Sequence, residues 1–166
     1  MTTTTTEILL PSSPAEAAAL FGDGSDLTVI AGGTIVMPLL AHRGARPGRA
    51  LVLARAGLAG VRQSGDTITI GATTPVQELV ELVDPLGGCA ANIADGEIRS
   101  QATLGGNLRA GAGADAPRGD LQSALLALDA SARSTGAAGE VTEPLEQFLN
   151  AGPRLLLHSA SSARFQ

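Results

Sequence analysis

The sequence contains a single cysteine, two histidines, and no tryptophan or tyrosine. One thiol cannot form an internal disulfide, and Cys89, His42 and His158 are too few ligands for a structural zinc site or an iron–sulfur cluster. Three phenylalanines are the only aromatic residues, so the chain has little with which to stack against a planar ligand. We therefore expect no metal on this chain and no stacking platform built from its own aromatic side chains.

Long apolar runs and concentrated positive charge are also missing. No uninterrupted apolar segment approaches the roughly 20 residues that cross a bilayer, and nothing at the N-terminus combines basic residues with an apolar stretch as a secretion signal does. The formal net charge is −5, and the 11 basic residues are scattered along the chain, so there is no basic stripe of the kind that binds nucleic acid. We expect a cytoplasmic protein whose partners are neither membranes nor nucleic acids.

What is present suits one compact folded unit: 166 residues, of which 44% are hydrophobic and 16% charged. Residues 1–6 are expected to form a flexible leader. Short strands mixed with short helices predict an α+β fold, with an N-terminal subdomain over residues 7–56 and a second over residues 57–166. Together the two would form one domain.

The elements follow from local signals. Strands are predicted over 7–10, 27–31, 50–53, 61–64, 67–71, 131–134, 140–144 and 154–158. Helices are predicted over 14–21, 35–41, 74–82, 88–94, 121–130 and 145–149, with a capping box of Ser13 and Glu16 on the first and Thr74 as the cap of the third. Residues 97–107 are expected to be extended and to end in a glycine turn.

A glycine pair lies where the second strand meets its helix. Backbone N–H groups at a helix N-terminus favour anions, and glycine allows the main chain to come close. The N–H groups of Gly33, Thr34, Ile35 and Val36, with the Thr34 hydroxyl, are therefore candidates to bind a phosphate. The alternative is that Gly32 and Gly33 form only a tight turn that needs a positive φ.

A second glycine pair follows the predicted extended stretch. Thr103, Gly105, Gly106 and Asn107 offer further backbone donors, a hydroxyl and a side-chain amide. The same alternative, a tight turn, applies here.

Both glycine turns resemble motifs of one family when they are read together. Ala31-Gly32-Gly33-Thr34 with Pro38 resembles the A-G-G-T/H/Q-x-x-x-P motif of the FAD-binding subunits of molybdenum hydroxylases, the group with xanthine dehydrogenase and aerobic carbon monoxide dehydrogenase. Residues 98–107, Ile-Arg-Ser-Gln-Ala-Thr-Leu-Gly-Gly-Asn, resemble the second motif, I-R-N-x-A/G-T-I/L-G-G-N. The resemblance covers residues 8–150.

The resemblance implies the PCMH-type FAD-binding fold, with FAD bound non-covalently between the two motifs. The implied cofactor-binding residues are Ala31, Gly32, Gly33, Thr34, Ile35, Val36, Thr103, Gly105, Gly106, Asn107 and Asp120. In the family an Asp before an apolar helix contacts the ribityl or ribose hydroxyls; Asp120 has that position, Asp115 competes for it, and either can instead cap the helix. The redox chemistry belongs to the cofactor, so no residue is expected to be catalytic.

The resemblance also implies partners. Electrons from a substrate at the molybdenum centre of a large subunit would pass through iron–sulfur clusters on a small subunit to FAD on this chain, and then to an acceptor. Members of the family continue into a C-terminal domain that covers the isoalloxazine ring, whereas this sequence ends at Gln166. The alternative is therefore a truncated, non-catalytic module that keeps the fold to bind a partner subunit. A covalent flavin is disfavoured, because Thr34 stands where the linking residue would be.

Three other residues invite a role. Arg99 can approach a phosphate, although an arginine there more commonly binds local carbonyl groups. His42 is interpreted as a solvated helix end, and Cys89 as a buried packing residue.

Overall fold

The computed structural model describes residues 5–44, 46–110 and 119–162, and within them the chain forms eight strands and eight α-helices. The strands are β1 (Glu7–Leu9), β2 (Leu27–Ile30), β3 (Arg49–Val52), β4 (Val61–Ser64), β5 (Thr67–Gly71), β6 (Ser131–Gly136), β7 (Gly139–Pro144) and β8 (Leu155–Ser162). The helices are α1 (Pro14–Phe21), α2 (Val36–Arg43), α3 (Val76–Leu79), α4 (Leu86–Ala91), α5 (Gly96–Gln101), α6 (Leu104–Leu108), α7 (Asp120–Ala127) and α8 (Leu145–Asn150).

The first sheet is small and parallel, with the strand order β1-β3-β2. Parallel strands need crossover connections. Helix α2 connects β2 to its neighbour β3, and α1 connects β1 to β2, which lies on the other side of β3. Helix α1 buries Ala17 and Phe21, whereas α2 has no buried residue. The crossover that follows the first glycine turn is therefore the more exposed of the two.

The second sheet has five antiparallel strands in the order β4-β5-β8-β6-β7. Its first hairpin closes through Gly65 and Asp66, and Gly65 has a φ of +56°, as the Gly-Asp signal predicts. A core of buried side chains from this sheet and from α3, α4, α6, α7 and α8 includes Phe148, which has no exposed surface.

The molecule has two halves, one around the three-stranded sheet and one around the five-stranded sheet, and strand β8 contributes to the cores of both. Leu156 belongs to the core of the five-stranded sheet, while Leu155 and Leu157 pack into a second core with α1 and β3. The last strand of the first sheet ends at Val52, but the core beside this sheet also contains Leu155 and Leu157, near the end of the described chain. The division into subdomains at 7–56 and 57–166 remains a prediction.

The expected extended stretch at 97–107 is wrong, because two short helices occupy it. The Asp95 carboxylate accepts a 2.8 Å hydrogen bond from the Ile98 N–H and so caps α5. Ala102 leaves the helical region with φ −58° and ψ 142°. Thr103 then caps α6 by accepting a 3.1 Å bond from the Gly106 N–H. Both caps are residue types that start helices, and they outweigh the strand-like composition between them.

Two other capping predictions are wrong in detail. Thr74 does not cap α3, because its hydroxyl exchanges hydrogen bonds with the backbone of Gly60, accepting at 2.9 Å and donating at 3.2 Å. In α1, Ser13 caps the Glu16 N–H as expected, but the Glu16 carboxylate accepts from Ser12 at 2.7 Å rather than from Ser13. The helix predicted over 74–82 is shorter, Val76–Leu79, and that over 88–94 begins earlier, at Leu86.

Candidate functional site

One cavity of about 770 Å³ opens between the two halves of the molecule. That volume falls within the 300–1,000 Å³ range of ligand sites. Each of the site residues predicted from the sequence lines it: Ala31, Gly32, Gly33, Thr34, Ile35, Val36, Thr103, Gly105, Gly106, Asn107 and Asp120. The fold therefore brings together, around one cavity, residues that are up to about 90 positions apart in the chain.

The first glycine turn presents free backbone donors to this cavity. Strand β2 ends at Ile30 and α2 begins at Val36. Gly33 has a φ of +74°, which turns the chain sharply at small steric cost because glycine has no Cβ. In the described parts of the chain, no acceptor takes a hydrogen bond from the N–H groups of Gly33, Thr34, Ile35 or Val36.

The second glycine turn lies against the first. A Cβ built on Gly32 would overlap the carbonyl oxygen of Gln101, and it would lie 3.1 Å from the Cα of Ala102. Any side chain at position 32 would thus push apart the two segments that line the cavity. The close approach, rather than a positive φ, explains the glycine at this position.

The backbone donors of the second turn are already used, which contradicts the expectation of a second free cradle. The Gly105 N–H donates to the Ala72 carbonyl at 2.8 Å. The Gly106 N–H donates to the Thr103 hydroxyl at 3.1 Å, and the Asn107 N–H to the Thr103 carbonyl at 2.9 Å. The pair Gly105-Gly106 therefore serves close packing and capping of α6.

Two side chains of the second turn remain able to donate hydrogen bonds to a ligand. The Asn107 side-chain carbonyl accepts a 3.0 Å hydrogen bond from the Leu121 N–H. This bond fixes the amide so that its NH₂ group, which has no acceptor among residues 5–44, 46–110 and 119–162, remains available. The Thr103 hydroxyl accepts from Gly106 and keeps its own proton to donate.

Asp120 also lines the cavity. It is the first residue of α7, is exposed, and caps nothing: Gly119 holds the N-cap position without a side-chain bond. The helix is capped instead by Asn107 from another segment. The capping alternative for Asp120 is therefore wrong, while the competing candidate Asp115 lies outside the described residues.

Sequence reasoning missed two arginines of the cavity wall. Arg109 follows α6, and its guanidinium carbon lies 5.3 Å from the centre of the Phe148 ring. Burial lowers the pKa of Arg109, although a guanidinium keeps its proton in proteins. Arg154 precedes β8 and bonds to the Ser134 hydroxyl at 2.7 Å. A basic residue two positions after the Gly-Gly-Asn motif was the available signal for Arg109.

Apolar side chains complete the wall, and sequence reasoning missed these as well. One group comes from α1, β2, the turn after β3, and β8, and a second group comes from α2, α5 and the segment before α5. The first group includes Phe21, Leu27, Val29, Leu53, Leu155 and Leu156, and the second includes Leu39, Ile93, Ala94 and Ile98. Phe21 is the one aromatic residue in this lining among the described residues.

The remaining candidates have structural roles. The Arg99 guanidinium bonds to the carbonyls of Ile93 and Ala94 at 3.1 Å each and does not line the cavity, as the local-carbonyl alternative predicts. His42 lies exposed in the last turn of α2. Cys89 is half-buried against the larger core. Among the described residues, no helix is long and apolar enough to span a bilayer.

Comparison with solved structures identifies the class of fold. A chain of reconstituted CO dehydrogenase from Oligotropha carboxidovorans superposes with a TM-score of 0.81 and 27% identity, over 98% of this chain and 60% of that one. A chain of CO dehydrogenase from Hydrogenophaga pseudoflava gives a TM-score of 0.78 and 26% identity, over 99% and 61%. The predicted α+β, PCMH-type FAD-binding fold is confirmed.

Sequence comparison identifies the family. Residues 4–160 match the FAD binding domain in molybdopterin dehydrogenase, and the chain belongs to this family. It is 37% identical over 151 residues to the 6-hydroxypseudooxynicotine dehydrogenase complex subunit alpha of Paenarthrobacter nicotinovorans, over 86% of this chain. It is 32% identical over 146 residues to the carbon monoxide dehydrogenase medium chain of Hydrogenophaga pseudoflava, over 83% of this chain. In both cases the chain spans 50% of the relative's length.

Proposed function

We propose that the chain holds FAD non-covalently in the cavity between the glycine turns and is the electron-transferring flavin component of a molybdenum hydroxylase. Membership of an FAD-binding family supports the cofactor. The observation that carries the assignment of the site is the row of four N–H donors from Gly33 to Val36, which have no acceptor among the described residues and belong to a turn that lines a cavity of about 770 Å³.

The first turn fits a diphosphate. The N–H groups of Ile35 and Val36 lie at the N-terminus of α2, those of Gly33 and Thr34 lie just before it, and all four residues line the cavity. A helix N-terminus favours an anion, and the Thr34 hydroxyl adds a fifth donor. A hydrogen bond to a charged group contributes about 1.5–3 kcal/mol. Several such bonds, after the entropy lost on binding, are enough to retain a dinucleotide.

The side chains of Thr103, Asn107 and Asp120 fit the sugar portion of the cofactor. The Asp120 carboxylate is an acceptor that repels phosphate but suits hydroxyl groups, and the Asn107 amide and the Thr103 hydroxyl are donors. The four groups of the first turn donate, whereas the Asp120 side chain accepts. This asymmetry gives the cavity a phosphate-binding part and a hydroxyl-binding part.

The chain contributes binding and orientation, with none of its residues acting as a general acid or base. FAD, once bound, supplies the chemistry of accepting and passing on electrons. The names of two relatives, a subunit alpha of a dehydrogenase complex and a medium chain, describe subunits of larger assemblies. By analogy we propose a molybdenum-containing large subunit and an iron–sulfur small subunit as the partners of this chain.

A titration of the purified chain with FAD tests the cofactor assignment. Flavin absorbs and emits visible light, away from protein emission, so the anisotropy of its fluorescence reports binding directly. We expect saturable FAD binding, with ADP competing and riboflavin binding much more weakly because it lacks the diphosphate. A folded chain, checked by circular dichroism, that binds no FAD contradicts the proposal and favours the alternative of a module that only docks to a partner.

A further inference from the structure

Two cations line the cavity within the described residues, Arg109 and Arg154, and the charge of Arg154 is already compensated. Its Nε donates to the Ser134 hydroxyl at 2.7 Å and lies 3.6 Å from the Glu143 carboxylate. An Nη2 bond of 3.3 Å to the Ser134 carbonyl holds the other side of the guanidinium. Arg154 therefore belongs to the scaffold.

Arg109 has no such compensation. Nowhere in the described parts of the chain does a carboxylate lie within 4.0 Å of its guanidinium. Within the described residues, the guanidinium lies over the face of the Phe148 ring and donates one long hydrogen bond of 3.4 Å to the Gly152 carbonyl. Because Phe148 is fully buried, the ring is a fixed platform that positions the cation without neutralising it.

The backbone of Arg109 is tied to the second glycine turn. Its N–H donates to the Gly105 carbonyl at 3.0 Å, so the arginine cannot shift independently of that turn. The turn's own N–H groups are used within the protein, as described above. Among the described residues that line the cavity near this turn, Arg109 carries a positive charge and Asp120 a negative one.

We propose that Arg109 is the counter-ion of a bound diphosphate in this cavity. The N–H groups of Gly33 to Val36 are neutral donors, which orient the phosphates but leave their net charge in place. A guanidinium binds phosphate oxygens through paired N–H groups and supplies the missing charge. The proposal rests on the proposed function for the identity of the ligand, and it extends to any ligand that carries an ADP moiety.

The test replaces Arg109 in the full chain by Gln and by Lys and measures binding of FAD, ADP and riboflavin. For Arg109→Gln we expect a loss of about 10- to 100-fold in affinity for FAD and ADP, the range for one hydrogen bond to a charged group. Riboflavin, which has no phosphate, should bind as it does to the wild type. Arg109→Lys should lie between, because the charge remains and the paired geometry is lost.

Arg62→Gln is the matched control, because it removes the same charge from an exposed position on the edge strand β4, outside the cavity. Raising the salt concentration should weaken ADP binding by the wild type more than by Arg109→Gln. Thermal unfolding of each variant checks that the fold is kept.

The outcomes separate this proposal from the proposed function. Equal ADP affinity for wild type and Arg109→Gln overturns the role of Arg109, whatever FAD does. An equal loss of ADP affinity in Arg62→Gln also overturns it, because the effect would then come from the net charge of the protein. An equal loss of riboflavin affinity in Arg109→Gln overturns it as well, because the effect would then come from packing. Tight, Arg109-dependent ADP binding without FAD binding would support the counter-ion and contradict the flavin proposal. A wild-type chain that binds neither nucleotide contradicts both.

Discussion

The side-chain carbonyl oxygen of Asn107 accepts a 3.0 Å hydrogen bond from the backbone N–H of Leu121. Helix α7 has no cap of its own, since Gly119 at the N-cap position makes no side-chain bond. The second glycine turn therefore supplies the cap of α7, and α7 in turn fixes which atoms of the Asn107 amide face the cavity. One residue links the packing of the core to the chemistry of the candidate site.

Two substitutions of Asn107 separate these roles. Asn107→Ala removes the acceptor and leaves a buried N–H unpaired, so the free energy of unfolding should fall by about 1–3 kcal/mol. Asn107→Asp keeps an acceptor, and its charge is favourable near the N-terminus of α7, so most of the stability should remain. FAD affinity should nevertheless fall about tenfold or more with Asp, because a hydrogen-bond donor is replaced by a negative charge in a cavity that binds an anionic cofactor.

Urea unfolding and FAD titration of both variants check this prediction. The informative result is that Asn107→Asp keeps most of its free energy of unfolding but loses FAD affinity. If that variant loses stability and affinity in the same proportion as Asn107→Ala, Asn107 acts on the cavity only through the fold.

Gly32 sets the contact between the two glycine turns. Gly32→Ala places a methyl group onto the Gln101 carbonyl, and relieving the overlap requires backbone movement. We expect a loss of about 1–3 kcal/mol in the free energy of unfolding together with weaker FAD binding. Gly48→Ala is the control, because a Cβ there meets nothing within 4 Å, and it should leave both quantities nearly unchanged. Equal effects of the two substitutions would contradict the proposed contact.

Local signals predicted the parts of the structure that short stretches of sequence determine. The hairpin of β4 and β5 follows from a Gly-Asp pair between two alternating segments, and it has the predicted bounds. The first glycine turn follows from a β-branched strand that runs into Gly32-Gly33. In both cases the residues that decide the conformation lie within a few positions of one another.

The features of the site that the sequence did not predict depend on contacts between distant segments. The Gly105 and Gly106 N–H groups are not available to a ligand because Ala72 and Thr103 accept hydrogen bonds from them. Ala72 lies just after β5, more than 30 residues earlier in the chain. The sequence places Arg109 two positions after the Gly-Gly-Asn motif, but its position over the Phe148 ring depends on a contact between segments far apart in the chain. No periodicity or motif encodes a pairing of that kind.

Thr74 is hydrogen-bonded to the second glycine turn through its backbone. Its hydroxyl exchanges hydrogen bonds with Gly60, and its backbone carbonyl accepts from the Leu104 N–H at 3.0 Å. Thr74→Val keeps the shape but leaves the Gly60 N–H without a partner, while the Gly60 carbonyl still accepts from the Gly71 N–H at 2.9 Å. We therefore expect a loss of about 1–3 kcal/mol in the free energy of unfolding. Thr74→Ser keeps the hydroxyl and should lose less. Because Thr74 does not line the cavity, FAD affinity should change little in either variant; a large loss in a folded Thr74→Val protein would place the residue in the site.

His158 makes stability depend on pH. Burial lowers its pKa, and the charges of Arg133 and Arg62 lower it further, while Glu140 opposes them. Its Nδ1 is buried and, within the described residues, has no hydrogen-bond partner. The unfolded chain, with an ordinary histidine pKa of about 6.5, therefore binds this proton before the folded chain does.

A folded pKa below the unfolded one means that stability is retained above about pH 6.5 and lost as the pH falls from there through the folded pKa. Replacing His158 by Gln removes the titrating group, so we expect a smaller decrease in the free energy of unfolding between about pH 6.5 and 5 than in the wild type. Urea unfolding at several pH values in this window measures the difference. His42→Gln, at an exposed helix end, is the control and should keep the wild-type slope. Identical slopes for wild type and His158→Gln would show that burial of His158 does not disfavour its protonation.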